Sequence, residues 1–317
     1  VTRKHEKYER LLARCRDLPA LPCAVAHPCD EGSLRGALEA AQLGLIQPLL
    51  VGPRARIAKL LETLRLEEVR SETGAEIVDA PHSEAAAEIA VGLVRAGRAQ
   101  ALMKGSLHTD ELMSAVVARE TGLRTGRRIS HCFVLDVPSV ERALIVTDAA
   151  VNIAPKLQDK QHIVQNAIDL AHALGRARPL VAILSAMETV NPEVPSTIEA
   201  AALCKMAERG QITGGDLDGP LALDNAIDPA AAKTKGLSSP VAGHADILVA
   251  PDLEAGNMLA KSLVYLAGAD AAGIVLGARV PIVLTSRADT PMVRRASCAV
   301  AVLLAQARLQ QGGRVVS

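Results

Sequence analysis

The feature that most narrows the possible folds is an alternation. Short β-branched or aliphatic runs lie at 47–51, 76–80, 99–103, 131–135, 144–147, 180–184, 246–249, 273–276 and 281–284. Helix-patterned stretches at 34–45, 55–64, 83–96, 110–120, 159–174, 197–208, 255–267 and 291–310 are interleaved with them. Repeated strand–helix alternation predicts an α/β fold with parallel sheets and crossover helices. The helical period is visible in Ile89, Ala90, Leu93 and Ala96, which recur at three- and four-residue steps. The chain has 317 residues; at roughly 100–200 residues per domain this predicts two domains. Strand-rich blocks meet around 140–158, so the expected domains are 1–145 together with 287–317, whose long closing helix returns to the first domain, and 146–286. The Pro- and Gly-rich stretch 210–243 reads as irregular: a lid, a dimer-contact loop or an excursion at a domain edge.

Composition excludes several functions. Hydrophobic residues make up 49% and aromatics only 1%, so the core is built from Ala, Val, Leu and Ile, and readers that stack bases on aromatic rings are disfavoured. Lys+Arg and Asp+Glu are equal at 35 each; with no net field to attract polyanions, any anion site is local. No nucleic-acid partner is expected. The six cysteines form no CxxC pair, which reads as reduced thiols of a cytoplasmic protein. No apolar run reaches the roughly 18 residues of a membrane span, and no signal peptide is visible. Metal-ligand spacings such as HxxxH and HExxH are missing, as is a GxGxxG after an early strand. The chain begins at Val1, so a further domain upstream is an open expectation.

Four clusters could carry chemistry. In Leu284-Thr285-Ser286-Arg287-Ala288-Asp289-Thr290-Pro291 an aliphatic strand runs into a helix whose caps would be Asp289 or Thr290, with Pro291 as first helical residue. A strand end opening onto a helix N-terminus favours anions, and Ser286 and Arg287 add a hydroxyl and a guanidinium fork; an ordinary capped turn with a solvated Arg explains the same residues. In Met103-Lys104-Gly105-Ser106-Leu107-His108-Thr109-Asp110, Lys104 ends a strand, Gly105 allows close backbone approach, and Thr109 or Asp110 caps a helix. Here His108 reads more simply as a surface histidine than as a base. Gly122-Leu123-Arg124-Thr125-Gly126-Arg127-Arg128 gathers three arginines in one turn, suited to phosphate or to solvent alike. Lastly, Gly256 and Asn257 open a helix after Ala250-Pro251-Asp252, which suits either packing or close approach of a substrate.

Together these clusters resemble the phosphate acetyltransferase and phosphate butyryltransferase family. The stretch from Ala245 to Asn257, Gly273-Ile274-Val275-Leu276-Gly277-Ala278 and the run from Pro281 to Asp289 carry the resemblance most closely. The Lys104 run, the Gly-Leu-Arg-Thr-Gly turn, Asp148-Ala149-Ala150-Val151-Asn152 and the opening Ala26-His27-Pro28-Cys29-Asp30 extend it over nearly the whole chain in order. The resemblance implies two α/β/α domains with a cleft between them, as in isocitrate and isopropylmalate dehydrogenases. It implies reversible transfer of a short acyl group, acetyl to butyryl, between coenzyme A and inorganic phosphate, with no metal and no permanently bound cofactor, in a homodimer or larger homo-oligomer. By analogy Ser286 and Arg287 bind phosphate and steady the oxyanion, and Arg124 holds the phosphoryl group, with Lys104, Thr109 and Asn257 as further substrate contacts. Acetyltransferase members carry an aspartate seven positions beyond the serine, where this chain has Val293; Asp289 is the nearest carboxylate and the expected third catalytic residue. Direct transfer needs no cysteine, so Cys298 is expected to pack. The rival readings are a non-catalytic acyl-CoA-binding partner of a larger assembly and a dehydrogenase on the same fold.

Overall fold

The protein is described by a computed structural model covering residues 6–286 and 289–310. The strands are β1 (Leu21–Ala26), β2 (Ile46–Gly52), β3 (Glu76–Asp79), β4 (Ala101–Lys104), β5 (Ser130–Asp136), β6 (Leu144–Thr147), β7 (Leu180–Leu184), β8 (Asp216–Leu221), β9 (Ile247–Val249), β10 (Asp270–Leu276) and β11 (Ile282–Val283). The helices are α1 (Glu6–Ala13), α2 (Glu31–Gln42), α3 (Arg54–Leu64), α4 (Glu67–Glu72), α5 (Ser83–Arg95), α6 (Thr109–Val117), α7 (Leu157–Ala173), α8 (Pro195–Glu208), α9 (Leu223–Ile227), α10 (Pro229–Thr234), α11 (Leu253–Tyr265) and α12 (Pro291–Gln310). The chain divides into two compact units. A discontinuous unit holds Tyr8–Arg127 and the described residues from Ala272 onward; a central unit holds Arg128–Ala271 with the described residues up to Lys7. The sequence expectation had put the joins near 145 and 286. The difference follows from pairing: β5 forms an antiparallel ladder with β6, Cys132 opposite Thr147, while β11 pairs with β4 and β10.

In the discontinuous unit the strand order is β3-β2-β1-β4-β11-β10. β1 runs parallel to both β2 and β4, and β11 parallel to β4; β10 is antiparallel to β11. Successive strands therefore step outward from β1 to β3, and the chain then returns to lay β4 on the other side of β1. The C-terminal ends of β1 and β4 flank the point where the winding reverses, which is where open α/β sheets hold ligands. The strands are aliphatic because both faces are covered: Ala24, Val25, Leu50, Leu102 and Met103 are fully buried. α12 buries Ala296, Cys298, Ala299, Val300, Ala301 and Leu304 as expected of its Ala/Val/Leu composition, but it also buries Arg294.

The central unit has order β5-β6-β9-β7-β8, parallel except for β5 against β6. Its core joins Leu135, Val146, Ala182, Leu184, Leu221 and Leu248 with Ala260. The stretch 210–243, expected to be irregular, instead supplies β8, α9 and α10. β8 pairs with β7 alone and so lies at the end of the order, which is where a strand can hold Pro220 without breaking a second ladder. Two further departures are helices too short or too polar to stand out, α1 and α4. None of the described helices is long and apolar enough to cross a membrane.

Candidate active site

Three chain segments leave the C-terminal ends of β1, β4 and β11 in the discontinuous unit and carry the candidate site. After β1, Asp30 caps α2: its Oδ1 accepts the Ser33 N–H at 2.7 Å. Burial pushes the Asp30 carboxyl up, but the Ser33 N–H and hydroxyl and the charges of Arg294 and Lys104 outweigh it, and its pKa lies below the ordinary value. The two cations that act on Asp30 come from different elements, so α2, β4 and α12 converge here. Gly32 marks the meeting point: a methyl group there would lie 3.6 Å from Arg294 Nη2 and 3.8 Å from Asp30 Oδ1.

After β4, Lys104 is buried, with its Nζ 3.4 Å from the Gly105 carbonyl. Gly105 is required by close approach of neighbouring backbone: a Cβ would lie 2.3 Å from the Ala26 oxygen and 2.5 Å from the His27 oxygen. Its N–H donates to Ala26 O at 2.9 Å, tying β4 to the end of β1. The N-cap of α6 is His108, not Thr109 or Asp110 as the sequence suggested, and Glu111 takes the His108 N–H at 2.6 Å. Thr109 is the half-buried first residue of the helix.

After β11, Thr290 caps α12 and Pro291 opens it, as expected. Ser286 is exposed. Asp289 accepts the Ser286 N–H at 2.6 Å, and the Asp289 N–H returns to Ser286 O at 3.2 Å, so Asp289 shapes the turn that displays the serine. Arg287 lies outside the described residues. A residue the sequence reading passed over holds this turn from beneath. Arg294, 3% exposed, donates from Nη1 to Thr285 Oγ1 at 2.9 Å and from Nη2 to Ser286 O at 3.1 Å. Its Nε is buried with no hydrogen-bond partner. The signal that could have found it is a guanidinium in line, at four- and seven-residue steps, with Cys298 and Ala301 on the apolar face of the closing helix.

Arg124 is not brought to this edge. It bridges to Ala278, and Thr125 Oγ1 donates to Gly277 O at 2.7 Å. Gly277 and Ala278 belong to the connection between antiparallel β10 and β11, at the N-terminal end of β11 and β4, whereas Lys104 and Ser286 lie at the C-terminal end. The neighbouring Arg128 belongs to the central unit, where its Nε donates to Asn152 Oδ1 at 2.7 Å. Asn257 is also in that unit and spends its amide on Ala149 O at 2.9 Å, while a Cβ at Gly256 would lie 2.2 Å from Asp148 O. Both residues thereby hold α11 against the turn after β6. Asp148 is buried and caps its own turn, accepting from the N–H groups of Ala150, Val151 and Asn152.

The cysteines are unsuited to act as nucleophiles. Burial pushes the thiol of Cys298 up to about 12 and that of Cys29 up to about 11. No group of His, Cys, Asp and Glu among the described residues could hold a metal ion. What remains is a polar, cation-rich strand edge with a displayed serine and helix N-termini, suited to an anionic substrate group.

The sequence model of the phosphate acetyl/butaryl transferase family matches residues 71–302, and the chain belongs to that family. It is 65% identical to a phosphate acetyltransferase of Rhizobium meliloti, over 95% of this chain and 94% of that one. It is 40% identical to a phosphate butyryltransferase of Clostridium beijerinckii, over 95% and 98% respectively. Among solved structures, a branched-chain phosphotransacylase from Enterococcus faecalis superposes with a TM-score of 0.77 at 30% identity, covering 90% of this chain and 99% of that one.

Proposed function

We propose that this acyltransferase moves a short acyl group, acetyl to butyryl, reversibly between coenzyme A and inorganic phosphate. The observation that carries the reading is the convergence, in a member of this family, of Lys104, Ser286 and Arg294 at the edge of the sheet where α2, α6 and α12 begin. In this reading the acyl phosphate lies over that edge. Its phosphoryl group is held by the Lys104 ammonium and the Arg287 guanidinium, together with N–H groups at the start of α12. The thiolate of coenzyme A attacks the carbonyl carbon, the S–C bond forms, and the carbon–oxygen bond to phosphate breaks with its electron pair going to the phosphate. Charge gathers on the carbonyl oxygen in between, where the Ser286 hydroxyl donates; one such donor is worth about 3 kcal/mol in the transition state. Arg294 serves by holding the Thr285–Ser286 backbone in register. Thr109 is retained as a substrate contact on the half-buried first turn of α6. A homodimer or larger assembly is part of the proposal, and light scattering checks it.

The test is thiol release from acetyl-, propionyl- and butyryl-CoA, with and without phosphate. Phosphate-dependent release from at least one of them is the expected result, and the lengths accepted define the acyl pocket. Release from none, with coenzyme A still bound tightly, would replace the catalytic reading with that of an acyl-CoA-binding partner.

A further inference from the structure

Thiol attack needs a base, and the carboxylate nearest in sequence to Ser286 is committed: Asp289 takes the Ser286 N–H. Another group at the same edge meets the requirement. His27 follows β1 beside the reversal point with φ of 55°, a left-handed backbone uncommon outside glycine but one in which His, like Asn and Asp, is enriched. Its side chain and its carbonyl both engage Ser106, two residues beyond Lys104. The Ser106 Oγ lies 2.8 Å from His27 O, 3.0 Å from His27 Nδ1 and 3.3 Å from the Cys29 nitrogen. The His27 carbonyl also takes the Cys29 N–H at 2.8 Å and the Ser106 N–H at 2.9 Å, so two backbone donors and the hydroxyl meet at one oxygen. In the arrangement where the hydroxyl proton points to that carbonyl, Nδ1–H donates to the Ser106 oxygen, and neutral His27 is the Nδ1–H tautomer with an Nε2 lone pair able to accept.

We propose that His27 is the general base of the reaction, its Nε2 taking the proton from the thiol of coenzyme A, with Ser106 as the positioning residue that fixes its tautomer. This rests on the acyl-transfer reading above. As the S–C bond forms and the phosphate departs, the thiol proton resides on His27 and then passes to the released phosphate or to water, restoring the neutral ring. The charged groups facing the ring are Arg56 from α3, Glu111 from α6 and Asp30 at the head of α2. Burial, followed by Arg56, lowers the His27 pKa against the opposing carboxylates, so the ring is neutral and able to accept at pH 7. Two of these elements, α2 and α6, follow the strands whose ends carry Asp30 and Lys104, and Arg294 links Asp30 to the Ser286 turn.

His27→Asn is the appropriate variant. Asn tolerates the left-handed backbone and can keep a donor toward Ser106, but it has no counterpart of Nε2. With acetyl phosphate and coenzyme A as substrates, only pre-formed thiolate then reacts. At a thiol pKa of about 8.5 that is about one thirtieth of the total at pH 7, so kcat/KM for coenzyme A is expected to fall about thirty-fold at pH 7 and about three-hundred-fold at pH 6. The deficit should close to less than about two-fold by pH 9, and added imidazole should restore part of it at lower pH. Ser106→Ala, which leaves the β1 backbone untouched, should show a smaller deficit with the same narrowing toward high pH, and it supplies the test if His27→Asn does not fold. A deficit equal at every pH, or full activity of both variants, overturns the assignment of His27 while wild-type turnover preserves the acyl-transfer reading. Absence of wild-type turnover on every acyl-CoA overturns both.

Discussion

A methyl group added at Gly36 would stand 2.5 Å from Arg294 Cδ and 3.3 Å from its Cβ. On an open helix face Gly→Ala stabilises by about 1 kcal/mol; here the opposite is expected. Gly36 lies on the buried face of α2, and the Arg294 stem it touches belongs to a side chain only 3% exposed, with little room to swing aside. Relief requires the guanidinium to leave its place, which breaks the bonds to Thr285 Oγ1 and Ser286 O. A hydrogen bond from a charged donor contributes about 1.5–3 kcal/mol. Two bonds of about 2 kcal/mol, less the helix-propensity gain, predict that Gly36→Ala destabilises by roughly 3 kcal/mol. Urea unfolding should show the midpoint falling at unchanged slope, and turnover should fall with it because the Ser286 turn loses its support. The double-mutant cycle isolates the cause. On an Arg294→Ala background the Cδ contact no longer exists, so the added methyl should stabilise by up to about 1 kcal/mol through helix propensity, giving a coupling of about 4 kcal/mol. A Gly36→Ala protein as stable as wild type, or costs that simply add in the double variant, would refute the account of Arg294 as the buried brace.

Other consequences can be checked one at a time. Ser286→Ala should lower kcat by about 10²–10³ through loss of one oxyanion donor, with unfolding unchanged because the side chain is exposed; near-normal turnover would remove Ser286 from the chemistry. Arg287→Ala should cost activity by orders of magnitude while circular dichroism stays that of the wild type. The Asp30 pKa is lower in the folded chain than its ordinary value, so its ionised form stabilises the fold above about pH 4, and that contribution is lost as pH falls through the folded pKa. Asp30→Asn, which keeps a capping oxygen, should therefore be less stable than wild type at pH 7, the gap narrowing below about pH 4; a gap independent of pH would argue against the charge contacts with Lys104 and Arg294. Cys298→Ala should retain turnover and lose about 1 kcal/mol of stability from the small cavity, and a large loss of kcat would contradict a thiol pushed up to about 12.

Where the sequence could be read, it was because pattern and environment agree. The buried strands β6 and β7 match the expected 144–147 and 180–184 residue for residue, since an aliphatic run between helical stretches has few other destinations. β1 does not stand out on pattern: Pro22 and Cys23 interrupt its aliphatic run, and only its end at Ala26 was reached, through family resemblance. β8 is hidden by Asp216, Asp218, Gly219 and Pro220, residues that an edge strand tolerates and an interior strand would not. The site divides along the same line. Lys104 and Ser286 are legible because each follows a recognisable strand and precedes a recognisable helix. His27, Ser106 and Arg294 are less so, because what makes them matter is contact across the sequence: Ser106 meets His27 over a separation of 79 residues, and Arg294 is defined by the absence of a side chain at Gly36 on another helix. The arginine turn shows how differently neighbours in sequence can be placed. Arg124, Arg127 and Arg128 read as one cationic cluster when charge is counted along the chain, yet the polypeptide passes from one compact unit to the other between Arg127 and Arg128. Arg124 is anchored beside Gly277 and Ala278 at the far end of the strands, and Arg128 is bound to Asn152. A cluster in sequence is held at one sheet edge only when the backbone brings its members there, as the reversal between β1 and β4 brings Asp30, Lys104 and His27.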